Sequence, residues 1–106
     1  MNEKTKIFNA DDFSDCFVYR FERGDTIKSV ADKFHSTPCN IISLNSLETP
    51  PKEGEYILVE KISGREYIVK PTDDLPTLCG GDEKLLSLVK TKNRTDFIFV
   101  GMKIIL

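Results

Sequence analysis

One stretch of this 106-residue chain occurs twice, and that repeat limits its possible folds more than any other feature. Tyr19-Arg-Phe-Glu-Arg-Gly-Asp-Thr-Ile27 returns as Tyr67-Ile-Val-Lys-Pro-Thr-Asp-Asp-Leu75, an offset of 48 residues. Ile41-Ile-Ser-Leu44 pairs with Leu85-Leu-Ser-Leu88 at an offset of 44, and Gly54-Glu-Tyr-Ile-Leu-Val59 with Gly101-Met-Lys-Ile-Ile-Leu106 at 47. Three blocks in the same order describe two copies of one small unit. The drift in offset places the differences in the connections, where insertions cost least. Units of about 40 residues bury too little surface to stand alone comfortably, so the two copies are expected to touch.

Each copy has the same order of patterns. Phe17-Val-Tyr-Arg-Phe21 alternates at period two and predicts a strand. Asp25 or Thr26 can cap a helix in which Ile27, Val30, Ala31 and Phe34 form one apolar stripe. His35-Ser-Thr breaks that helix, and Thr37-Pro38 opens a second with Ile41, Ile42 and Leu44 inward and Asn45 at its end. A loop over 46–53 leads to a return strand, Tyr56–Val59. In the second copy Tyr67–Lys70 is a strand and Asp73 or Asp74 caps a helix holding Leu75 and Leu78. Gly80-Gly81 ends that helix, and Asp82 caps another containing Leu85, Leu86, Leu88 and Val89. The predicted fold class is α+β: two βααβ units, each a two-stranded antiparallel sheet with two helices on one face. The predicted division is an N-terminal arm at 1–16, a first domain at 17–60, a linker at 61–65 and a second domain at 66–106. In the arm, Ile7, Phe8 and Phe13 are candidates to dock on the first copy.

Composition narrows the functional classes. A net charge of −2, with no basic stripe, gives little electrostatic support for nucleic acid or anionic lipid as partners. No run approaches the roughly 18 apolar residues of a membrane span. The first residues lack the apolar core of a signal peptide, which leads to an expectation of a cytoplasmic protein or of unconventional delivery to a wall or spore envelope. Cys16, Cys39 and Cys79 form no metal or redox pattern and are expected to be reduced, partly buried small apolar residues. His35, the single histidine, is expected at a solvated helix end. Neighbouring acids such as Asp11-Asp12, Asp73-Asp74 and Asp82-Glu83 lie in the arm or at helix starts, where negative charge is favourable, so no catalysis, metal or cofactor is expected.

The first copy resembles the lysin motif, LysM. Tyr19-x-Phe21-x-x-Gly24-Asp25-Thr26-Ile27, Val30-Ala31, Ile41 four before Asn45, and Gly54-Glu-Tyr-Ile-Leu-Val59 follow that family's spacing, with Arg23 and Glu60 replacing frequent prolines. The second copy is a degenerate match: it keeps Tyr67, Val69, Pro71, Asp73 and Gly101. It has lost the glycine at Thr72, the threonine at Asp74 and the asparagine at Val89, and its inter-helix connection reads as four residues shorter. The resemblance implies binding of N-acetylglucosamine polymers, peptidoglycan or chitin oligomers, in a shallow groove. It assigns Gly24, Asp25, Thr26 and Ile27 to one wall and Ser46, Leu47, Glu48 and Thr49 to the other. Acetamido groups suit backbone partners in irregular turns, and their methyl suits an apolar notch such as Ile27 or Leu47. By the same reading Asn45 fixes its loop rather than touching sugar. The second copy, with a charge where the sugar would approach and surplus apolar residues at Phe97–Val100 and Met102, is expected to bind sugar poorly and to pack on the first copy, on a partner protein or, by self-association, on a second copy of the chain. The alternative function is an envelope or spore-layer assembly protein that uses the pair as an interaction scaffold.

Overall fold

The computed structural model describes residues 16–106. The suggested docking of Ile7, Phe8 and Phe13 lies outside the described residues. Four elements make the first unit: β1 (Cys16–Arg20), α1 (Ile27–Lys33), α2 (Pro38–Asn45) and β2 (Tyr56–Glu60). Four make the second: β3 (Glu66–Ile68), α3 (Leu75–Leu78), α4 (Glu83–Asn93) and β4 (Lys103–Ile105). β1 pairs antiparallel with β2, Val18 opposite Leu58, and β3 with β4, Tyr67 opposite Ile104. The fold is α+β, two two-stranded sheets each carrying helices, in the predicted order.

Each unit has its own core. Phe21, Val30, Ala31, Ile41, Ile57 and Val59 close the first, and Val69, Leu75, Cys79, Val89, Met102 and Ile104 the second. Cys79 sits where the first unit has Ala31, and Cys39 packs against the second core, its thiol pushed up in pKa by burial. Both therefore behave as the small apolar residues predicted.

The repeat is more regular than the sequence blocks suggest. Asn45 Nδ2 donates to the carbonyls of Ile41 and Leu58, and its Oδ1 accepts from Leu58 N–H. Asn93 makes the same three bonds, to Val89 O, Ile105 O and Ile105 N–H. Asn93 is thus the counterpart of Asn45 and Val89 that of Ile41, at the offset of 48 that also relates Tyr19 to Tyr67. The asparagine is retained, and the block match at 44 is a misregistration. The inter-helix connection is not shortened either: it runs 34–37 in one unit and 79–82 in the other. What moved is the corner itself. Gly80 and Gly81, both at positive φ, stop α3 after four residues, and α4 starts correspondingly early and runs for eleven. Ile42, expected inward, is 41% exposed, as are Leu85 (39%) and Leu88 (55%), because only one position per turn of these short second helices reaches the core.

The units are joined tightly. Lys103 Nζ lies 2.6 Å from Asp32 Oδ1 and 3.6 Å from Glu66, with a side chain only 10% exposed. Asn40 Nδ2 donates to Glu60 Oε1 in its own unit and to Lys92 O in the other. The connecting segment is part of this seam: Ile62 is buried, its N–H donates to His35 O, and Lys92 Nζ donates to Ser63 O. Gly64, at φ +131°, has Leu106 O and the Ile105 side chain where a Cβ would stand. His35 is no solvated helix end. It is half-buried in the left-handed region, with Nε2 2.9 Å from Gly64 O and Nδ1 3.4 Å from Glu66. The early halt of α1 turns its ring onto the connecting segment.

Candidate functional site

The predicted walls are the β1–α1 loop and the α2–β2 loop of the first unit. The β1–α1 loop is organised by Asp25. Its Oδ2 accepts from Tyr19 O–H at 2.6 Å and from Glu22 N–H at 2.8 Å. These bonds, the tyrosine's first, hold the Asp25 carboxyl below the usual carboxylate range. Asp25 is therefore a structural brace, and its oxygen is spent inside the loop. Thr26 is the helix cap, accepting from Ser29 N–H while Ser29 Oγ accepts from Thr26 N–H. Gly24 stands at φ +88° in the turn closed by Asp25 N–H to Glu22 O, which makes it a type II turn that favours glycine. No neighbour lies within 4 Å of where its Cβ would be, so the glycine face opens outward.

The opposite wall starts where α2 ends. Ser46 takes the left-handed conformation at φ 52°, and Leu47 N–H returns to Ile42 O. Asn45 fixes the end of this loop to β2, as expected. Ile27 and Leu47, both half-buried, pack against the same first core. Gly24, Thr26, Ser46, Glu48 and Thr49 are exposed, and Asp25 is half-buried beneath them. Of the eight predicted residues, then, five are exposed, Ile27 and Leu47 are half-buried on the core, and Asp25 shapes its loop from within. Such a surface suits a neutral polyhydroxyl or acetamido ligand, held by backbone groups and a small apolar notch.

The second unit repeats the brace and changes the wall. Tyr67 O–H donates to Asp73 Oδ2 at 2.6 Å and Lys70 N–H donates to the same oxygen at 2.7 Å, again lowering the aspartate. Asp74 caps α3. Its turn, however, has Pro71 and Thr72 at the centre, neither at positive φ, and is closed by Asp73 N–H to Lys70 O. That is a type I turn, whose central peptide faces the other way from that of Arg23–Gly24. The facing loop carries Phe97 at 71% exposure.

Among the described carboxylates, Asp25, Asp32 and Asp73 have their protonation shifted by the fold, and all three move downward, Asp32 through Lys103 and then Lys28.

Among solved structures the chain is similar to the crystal structure of the Bacillus cereus spore cortex-lytic enzyme SleL, at 26% identity and a TM-score of 0.42. The match covers 86% of this chain and 22% of that one, so the chain spans less than a quarter of that enzyme's length. No curated protein matches. Residues 19–51 match the family model of the LysM domain, which is generally a module for peptidoglycan and other N-acetylglucosamine glycans.

Proposed function

We propose that this chain is a non-catalytic carbohydrate-binding protein that recognises N-acetylglucosamine polymers, peptidoglycan first and chitin second, through its first unit. One observation carries the reading: the LysM match at 19–51 covers the β1–α1 loop and Ser46, Leu47, Glu48 and Thr49 of the α2–β2 loop, and Ile27 and Leu47 both pack against the first core. The ligand-facing groups are Gly24, Thr26, Ile27, Ser46, Leu47, Glu48 and Thr49, with Asp25 as brace. Shallow sites on neutral sugars bind weakly one at a time, so attachment to an insoluble polymer is the natural use. The test is a pull-down on purified peptidoglycan and chitin, followed by titration with soluble oligomers. Wild type is expected in the pellet and Gly24→Trp in the supernatant. Equal retention of both proteins, or of neither, sinks the assignment.

A second reading has its own support. Ile68, Phe97, Phe99 and Val100 of the second unit are each more than half exposed. Apolar exposure on that scale favours a protein contact, as in an envelope or spore-layer assembly. A strictly monomeric protein that captures glycan without help counts against it.

A further inference from the structure

A groove of about 600 Å3 opens where β1 begins and α1 ends. Phe17, Phe34 and Ile62 give it aromatic and aliphatic walls, and the exposed Lys33 and Lys61 stand at its rim. Phe17 packs edge-on against Phe34 at 4.8 Å yet is 37% exposed, so the pair keeps an open face. The polar groups of the floor are already used. Ile62 N–H donates to His35 O, Gly64 O lies 2.9 Å from His35 Nε2, and Ser63 O accepts from Lys92 Nζ. Lys33 Nζ donates to the Tyr19 hydroxyl at 3.2 Å, and neither rim lysine has an ion pair with a described residue. What remains for an occupant is apolar surface beside two ammonium groups. That chemistry suits aromatic side chains set among carboxylates, not a neutral sugar.

The chain itself carries such a segment at the edge of the groove. Ile7-Phe-Asn-Ala-Asp-Asp-Phe-Ser-Asp15 has three aspartates, three large apolar residues and no basic one. It is joined to Cys16, which stands opposite Glu60 in the sheet, so it is tethered beside Lys61. Phe13 is three residues from Cys16, within roughly 10 Å of chain, and four from Phe17, an even spacing that suits one strand face. A short tether gives an effective concentration of ~mM, which any free partner must exceed. We propose that residues 7–15 dock in this groove in their own chain, Phe13 against Phe17 and Phe34, and the aspartates facing Lys33 and Lys61. The docked segment ties the start of β1 to the segment that joins the two units. The groove lies at the other end of β1 and α1 from the β1–α1 loop, so the proposal does not rest on the glycan reading.

Nuclear magnetic resonance on the full chain tests it. In wild type the Phe13 ring protons are expected to show contacts to the Phe34 ring and the Ile62 methyls at every protein concentration. Phe13→Ser should abolish them, move the amide signals of residues 33–35 and 61–64, and lower the melting temperature by about 5 °C. The signals of Gly24 and of residues 46–49 should stay in place. Lys61→Glu is expected to lower the melting temperature by about 2 °C at low salt, and adding Asp15→Lys to restore it. Absence of the Phe13 contacts in wild type overturns the proposal, whatever the variants do. So does a Phe13→Ser protein whose groove signals do not move. Contacts found only between labelled and unlabelled molecules in a mixed sample assign the groove to a second copy and overturn it equally.

Discussion

The two units share an internal frame and differ in the wall they present. Tyr19–Asp25 and Tyr67–Asp73 brace the first loop with bonds of the same length, and Asn45 and Asn93 stitch the second helix to the return strand with the same three bonds. Outward, Gly24 faces Thr72 across the repeat, a type II turn against a type I turn. The lesson is that the frame depends on side chains that satisfy buried backbone groups, whereas the wall depends only on which turn the backbone takes. The first is expensive to change and the second is cheap. One unit can therefore keep its fold while altering the surface it presents.

The largest expected effect tests the frame. Asn93 is 1% exposed and Asn45 is half-buried, though their bonds are alike. Asn93→Ala should cost about 3 kcal/mol and Asn45→Ala about 2 kcal/mol, since each strands one N–H and two carbonyls and water can reach only the second site. Urea unfolding of the two variants checks this, and equal losses would mean that exposure does not distinguish the units.

A smaller effect tests the wall. Gly24→Ala should cost about 1 kcal/mol through its positive φ alone, because nothing crowds the new methyl. Thr72→Ala should stay within about 0.5 kcal/mol. If both substitutions are neutral by thermal melting, the turns do not differ as described.

Acid titration gives the finest comparison. Asp25 and Asp73 have folded pKa values below their unfolded ones, chiefly through Tyr19 and Tyr67 and next through a backbone N–H. Their contribution is thus present above the ordinary carboxylate range and lost as pH falls through the lowered values. Tyr19→Phe and Tyr67→Phe should raise the aspartate in the same unit and move the acid-unfolding midpoint upward. The two shifts should be alike, since each aspartate also keeps a lysine ammonium nearby, Lys33 for Asp25 and Lys70 for Asp73. Carboxyl chemical shifts across pH measure both. No upward movement in either variant would show that the tyrosines are not the cause.

Much of the fold was legible in the chain because short-range chemistry writes it there. The strand patterns, the caps at Thr26, Thr37, Asp74 and Asp82, and the break at Gly80-Gly81 each depend on residues within a few positions. The helical register in the second unit was not legible. Leu85-Leu-Ser-Leu88 resembles Ile41-Ile-Ser-Leu44 as text, yet apolar residues alone do not say which one reaches the core. The Val89-to-Asn93 spacing, four residues as in Ile41 to Asn45, was the available signal. The role of Asp25 was hidden for a similar reason. A carboxylate beside a threonine reads as a cap, and only the position of the Tyr19 hydroxyl, six residues away, makes it a brace.

From sequence alone come the two-fold repetition, the α+β order of elements and the position of both candidate loops, since all three rest on local propensity and spacing. The tertiary structure alone decides the offset of the helices, the seam that Lys103, Asp32, Asn40 and Gly64 make between the units, and the direction His35 faces. Those depend on which distant backbone groups need partners once two small cores come together, and that demand exists only in the folded chain.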